Sequence, residues 1–189
     1  MALRRGFKSQ CERRSVEIRN DLNLTKVCPL LAHDLAKHIN VTVWSTQDID
    51  GLTNDDHRYL SIEDDDCWSA LTMRMETNHL IIYKSGQSAA RINSVVMHEL
   101  SHVILGHELA DAVLLDDGSL VPDNFSQDQE AEADWFGGTL LLPRPALLKI
   151  VKDQTPDRIA QEHYGVSSEM LVYRTRMTGV RYQMKNGKR

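Results

Sequence analysis

The chain has 189 residues, 41% hydrophobic and 26% charged, with 22 basic and 27 acidic side chains and a net charge of −5. That length suits one domain with small appendages, and the composition excludes an intrinsically disordered chain. No apolar run reaches the ~20 residues a membrane helix needs. The basic start is not followed by the apolar stretch of a signal peptide. Cys11, Cys28 and Cys67 are widely spaced and form no CxxC pair, so the expected setting is the reducing cytoplasm.

The charge is unevenly placed. Residues 1–20 carry six basic and two acidic groups, residues 174–189 carry six basic and none acidic, and the stretch between is left at −15. Basic ends on an acidic body read first as solvated tails, and second as contacts for an acidic partner or nucleic acid. The mild overall acidity argues against a non-specific nucleic-acid binder.

Residues 8–20 are polar with a few apolar positions and suit a surface helix. Leu30, Leu31, Leu35, Ala36 and Ile39 recur at helical spacing, with Pro29 in the first turn. Val41-Thr42-Val43-Trp44 is β-branched and aromatic and reads as a strand. Residues 46–66 read as an acidic loop with one short strand near 59–62. Residues 68–75 and 79–83 are two further strands, with Thr77-Asn78 as the hairpin turn between them. A helix over 89–107 is apolar on most sides and so runs through the core. Residues 110–127 read as a loop turning at Asp116-Asp117-Gly118. A second helix spans about 128–142 and stops before Pro143, a short one follows over 145–152, and a final pair over 156–164 and 167–178 is joined at Gly165. Helices, a small antiparallel sheet, then helices make an α+β fold. The division is a basic helical extension over 1–27, a central domain over 28–152, and a helix pair with a basic tail over 153–189.

Two motifs carry chemistry. The first is His98-Glu99-Leu100-Ser101-His102. On a helix, positions i and i+4 share a face, so both imidazoles can converge on one zinc ion at ~2.0–2.1 Å. Glu99 lies about 100° round the helix and can address a water as general base. The pattern HExxHxxGxxH is not met, because Gly106 and His107 are out of register, and His107 reads as a helix-terminal histidine near the C-end dipole. The second motif is Glu130-Ala131-Glu132-Ala133-Asp134-Trp135-Phe136. Ala133, Phe136, Gly137 and Leu140 define an apolar sector that Glu130 flanks. Glu130 is therefore favoured as the third ligand, with Glu132 in reserve. Asp134 shares the face of Glu130 and can bond the outer nitrogen of His98, fixing its tautomer.

The runs "MHELSHVILGHE" and "EAEADWFGGTLLLP" resemble the ImmA/IrrE-type metallopeptidases in both blocks, HELxHxxLGH and ExEAxxF with an LLLP end. The entry "IIYKSGQSAARINSVV" and the close "RIAQEHYGVSSEMLVYRTRMTG" are also similar, and the likeness spans about residues 30–180. It implies a zincin-like metallopeptidase fold and zinc-dependent cleavage of a helix-turn-helix repressor, which relieves repression. His98, His102 and Glu130 would be ligands and Glu99 the catalytic glutamate. Lys84 departs from the family by standing where an Asn is common, and Gly137-Gly138 replaces the usual alanine-rich continuation.

The expected reaction is attack of water on a peptide carbonyl, with Glu99 moving the proton to the leaving amine. Tyr164, His163, His107 and Arg91 are the candidate donors to the oxyanion. The strand over 79–83 is read as a sheet edge to which extended substrate can add. Two other readings stand beside this one. Ile159-Ala160 and Gly165-Val166-Ser167, followed by Arg174, Arg176 and Arg181, look like a helix-turn-helix that could contact DNA. Alternatively, the metal only stabilises a module that binds its partner without cutting it.

Overall fold

The computed structural model describes residues 3–51, 53, 55, 68–108, 111–114, 120–123 and 126–186. The chain begins α1 (Phe7–Asp21), α2 (Ala32–His38), β1 (Val41–Ser45), a 3-10 turn (Thr46–Asp48), β2 (Ala70–Arg74) and β3 (His79–Tyr83). It continues α3 (Ala89–Leu105), β4 (Asp111–Leu114), β5 (Leu120–Asp123), α4 (Gln127–Leu141), α5 (Arg144–Lys152), α6 (Asp157–Tyr164), α7 (Ser168–Thr178) and α8 (Val180–Asn186). The class is α+β, as the sequence led us to expect.

The sheet is mixed, not antiparallel throughout. Its order is β1-β3-β2. β1 runs parallel to β3, Val41 opposite His79, and β2 runs antiparallel to β3, Ala70 opposite Tyr83. The hairpin closes where the Met75 N–H donates to the Asn78 carbonyl at 2.8 Å, so its two-residue turn is Glu76-Thr77, one position earlier than expected. The expectation that residues 79–83 form an edge is overturned, because β3 is the centre of the sheet. Its run Leu80-Ile81-Ile82 is what a strand covered on both faces looks like. The alternating β2, with Leu71 and Met73 more than 40% exposed, lies at the side.

Residues expected to be a loop after α3 contain a second hairpin, β4 paired antiparallel with β5, Asp111 opposite Asp123. Pro122 stands within β5, opposite Ala112, in a two-stranded ladder where both strands are edges and a proline is tolerated. The strand expected near 59–62 and the turn at Asp116-Asp117-Gly118 lie outside the described residues. Beyond Gly179 the expected tail starts as a further helix, α8.

α3 begins where the Ser88 hydroxyl accepts from the Arg91 N–H at 3.3 Å and ends at Gly106, whose φ of 69° is left-handed. Its Val95, Val96, Met97 and Leu100 are buried. They share one hydrophobic cluster with Phe7 and Ile18 of α1, Ile81 of β3, Leu140 of α4, Leu171 of α7 and Val180 of α8. Burying each large apolar side chain contributes about 1.5–3 kcal/mol. The helix expected over residues 8–20 therefore has a core face as well as a solvent face.

Two buried arginines fix the C-terminal end of α4. Arg19 donates to the Leu140 carbonyl at 2.6 Å and to the Ser15 hydroxyl at 2.7 Å, and Ser15 in turn donates to the Thr139 carbonyl at 3.2 Å. Arg174 donates to the Leu142 carbonyl at 3.1 Å and to Glu12 at 2.9 Å. Last-turn carbonyls have no partner inside their own helix, and cations suit that end. Held there, α4 is aimed with its acidic first turns against α3.

Candidate metal centre

α4 lies close against α3 at Gly137. A Cβ placed on Gly137 would meet the Ser101 Oγ at 3.3 Å, the Met97 carbonyl at 3.4 Å and the His98 Cα at 3.5 Å. A glycine is what that approach requires. One and two turns earlier on α4, the same contact brings Asp134 and Glu130 to the histidines of α3.

His98 Nε2 lies 3.0 Å from His102 Nε2 and 3.2 Å from Glu130 Oε2, and His102 Nε2 lies 3.4 Å from Glu130 Oε1. One ligand atom from each of the three residues falls within 4.8 Å of the others. Donors each ~2.0–2.1 Å from a tetrahedral zinc ion would sit about 3.3 Å apart. The cluster matches that spacing, and two nitrogens with one oxygen are a donor set zinc accepts. His98 Nδ1 faces Asp134 Oδ1 at 2.9 Å. Glu132, the reserve ligand, points elsewhere, to Arg4 at 3.1 Å and His107 at 3.4 Å.

The titrations follow from these contacts. Burial opposes a charge on His98, yet its hydrogen bonds to Asp134 and Glu130 outweigh that and carry its pKa up to about 10. Burial and the neighbouring His98 charge push His102 down to about 4. The hydrogen bond from His98 holds Glu130 below the usual carboxylate range. The cluster thus keeps its proton on His98 and leaves His102 neutral.

Glu99 is half-buried, and burial raises its pKa, against the lowering effects of Thr72 and His98. The Thr72 hydroxyl on β2 donates to Glu99 Oε2 at 2.6 Å. Sequence reasoning missed Thr72, since nothing in a strand's pattern shows that one of its residues faces a helix 27 positions later. Beside Glu99 opens a cleft of about 290 Å³, lined by Ser69, Ala70, Arg91, His98, Glu99 and Asp134 among others.

The four candidate oxyanion donors separate. Arg91 lines the cleft and donates to Ser69 Oγ at 2.9 Å. Tyr164 is removed from the set, because its hydroxyl donates to the Val27 carbonyl at 2.9 Å on a buried ring. His163 is exposed and packs edge-on against Tyr164. His107 turns its Nδ1 to His102 Nδ1 at 3.1 Å. The basic residues of the C-terminal segment are also partly used: Arg174, within α7, is fully buried, and Arg181 pairs with Asp157 at 3.7 Å. Among the described residues no helix is long and apolar enough to cross a membrane.

Comparison with known proteins gives a family match over residues 36–176, to the IrrE N-terminal-like domain of a peptidase family. No protein of curated function matches. A solved structure of a Mycobacterium tuberculosis transcriptional regulator is similar at a TM-score of 0.45 and 11% identity, over 91% of this chain and 47% of that one. This chain therefore spans about half the length of that regulator.

Proposed function

The chain belongs to the IrrE N-terminal-like domain family, and from that premise we propose that it is a zinc-dependent endopeptidase that cleaves a helix-turn-helix transcriptional repressor in the cytoplasm. The observation that carries the enzymatic part is the convergence of His98, His102 and Glu130 beside the carboxylate of Glu99. The repressor rests on the family's character alone.

His98, His102 and Glu130 would hold the zinc ion, and Asp134 would keep the His98 ring turned toward it. When bound, zinc supplies Lewis acidity toward a water and a carbonyl oxygen. Glu99 holds the proton that water gives up and delivers it to the leaving amine nitrogen. Its raised pKa suits both halves of that task. Thr72 bonds Oε2 and so orients the carboxylate. Arg91, two turns before Glu99 on α3 and lining the same cleft, is the residue that would donate to the carbonyl oxygen of bound substrate. Substrate in extended form adds along β2, the strand that carries Thr72, in place of the β3 edge expected from sequence.

Zinc content and fragment masses, measured with a co-encoded helix-turn-helix repressor as substrate, test the proposal. Glu99→Gln should retain zinc and lose cleavage by about 10²–10⁴-fold. Cleavage undiminished by Gln at 99 would end this reading, and stoichiometric binding of the repressor without fragments would leave the non-cutting module in its place.

A further inference from the structure

A second line of polar groups leads away from the histidines, on the side opposite the cluster. His102 Nε2 faces His98 and Glu130 and is the nitrogen a metal would take, so the ring's proton belongs on Nδ1. That Nδ1–H points at His107 Nδ1, 3.1 Å away, which accepts. His107 must then carry its proton on Nε2, and this N–H is 3.4 Å from Glu132 Oε2. Arg4 Nε forms an ion pair with the other oxygen, Oε1, at 3.1 Å. With His102 Nε2 left free for a metal, this assignment gives each link of the chain one donor and one acceptor.

The placement is sheltered. The His107 side chain is 6% exposed and that of Glu132 is 19% exposed. Polar groups at that depth are costly unless bonded, and here the bonds lead to one recipient, His102. Left-handed Gly106 makes this possible: it turns the chain so that the His107 N–H caps the His102 carbonyl at 3.0 Å and the ring folds back over α3. His107 is thereby excluded as a third donor, since its nitrogen meets the face of His102 turned away from the cluster.

We propose that His107 and Glu132 are positioning residues for His102, setting its tautomer and ring angle so that Nε2 is presented to the metal. They do for His102 what Asp134 does for His98, with a buried imidazole relaying a carboxylate in place of a direct carboxylate contact. Arg4 steadies the carboxylate at the far end. This inference rests on the metal reading above.

The test is zinc affinity by competition with a chromophoric chelator, on the full chain, for His107→Ala, Glu132→Ala, the double variant and His107→Gln, with unfolding of each zinc-free protein alongside. His107→Ala should bind zinc about 10–100-fold more weakly. Glu132→Ala should lose less, and should cost nothing more on the His107→Ala background, because both act through one link. Gln at 107 offers an amide oxygen to the His102 Nδ1–H and should recover most of the loss. A role in stability alone would shift the zinc-free unfolding midpoint but give neither the non-additivity nor the rescue. If His107→Ala does not fold, Glu132→Ala and His107→Gln carry the comparison. Unchanged affinity in the folded variants, or losses that add in full, would overturn the inference while the zinc reading stands. Failure of the unsubstituted protein to bind zinc would overturn both.

Discussion

At the scale of single residues, the candidate centre is a problem of imidazole orientation. A histidine can present either ring nitrogen, and what the other nitrogen touches decides which. Asp134 settles this for His98 through one contact of 2.9 Å, although its own side chain is 70% exposed. Its influence comes from being an anion in line with the ring, and an isosteric amide keeps the shape while losing the charge. Asp134→Asn should therefore weaken zinc binding about 10–100-fold with little change in unfolding of the zinc-free protein. Chelator competition measures this, and equal affinity in the variant would show that His98 needs no such partner. Glu99 is the reverse case: burial, not charge pairing, sets its character. One hydroxyl from Thr72 is the contact that keeps that half-buried carboxylate oriented.

At the scale of elements, the centre depends on how near α4 can come to α3. Gly137 lies where a side chain would press on Ser101 Oγ, Met97 O and His98 Cα. Alanine there would gain up to about 1 kcal/mol of helix propensity and lose part of it to the 3.3 Å contact. Valine has no room, so Gly137→Val should push the helices apart and carry Glu130 and Asp134 from the histidines. The expected result is loss of tight zinc binding in a protein that keeps its helical circular dichroism. Zinc bound as tightly by the valine variant would show that the approach is not limiting. The helices themselves were legible because capping and period are local: Ser88, Gly106, Ser126, Pro143 and Gly165 stand at or beside their boundaries. So was the spacing of His98 and His102, which one helical turn dictates. The order of the sheet was not legible. Pairing partners are remote in sequence, and β3 could be told from an edge strand only by its unbroken Leu80-Ile81-Ile82 run. The link from His102 to Glu132 was hidden for the same reason, since it crosses between helices through a residue just past a helix end.

At the scale of the whole molecule, the net charge of −5 divides into an acidic body with basic ends. The ends are not simply solvated. Arg19 and Arg174 are both fully buried, one from each basic segment, and both bind carbonyls at the end of α4. Composition could not foretell this, because backbone oxygens leave no mark in a sequence. Glu12 joins the two ends of the chain: Oε1 accepts from Arg174 at 2.9 Å, and Oε2 accepts from the Arg144 N–H at the start of α5 at 2.8 Å. Removing it leaves a buried guanidinium with the Leu142 carbonyl as its remaining acceptor here, and frees an N-terminal amide of α5. The loss of one partner from a buried ion pair costs roughly 3–5 kcal/mol. Because the Glu12 side chain is 24% exposed and water can partly replace it, Glu12→Ala should lie at the lower end of that range. For a chain of this size, about 3 kcal/mol lowers the unfolding midpoint by roughly 6–12 °C. The loss should persist in high salt, since screening reaches buried pairs weakly. Glu12→Gln retains an oxygen for Arg174 but not the charge and should fall between. Differential scanning calorimetry of the three proteins, with zinc chelated so that metal linkage does not enter, measures the effect. A midpoint within about 2 °C of the parent for Glu12→Ala, at most about 1 kcal/mol by the same conversion, would mean that Glu12 contributes little to holding the two ends of the chain together.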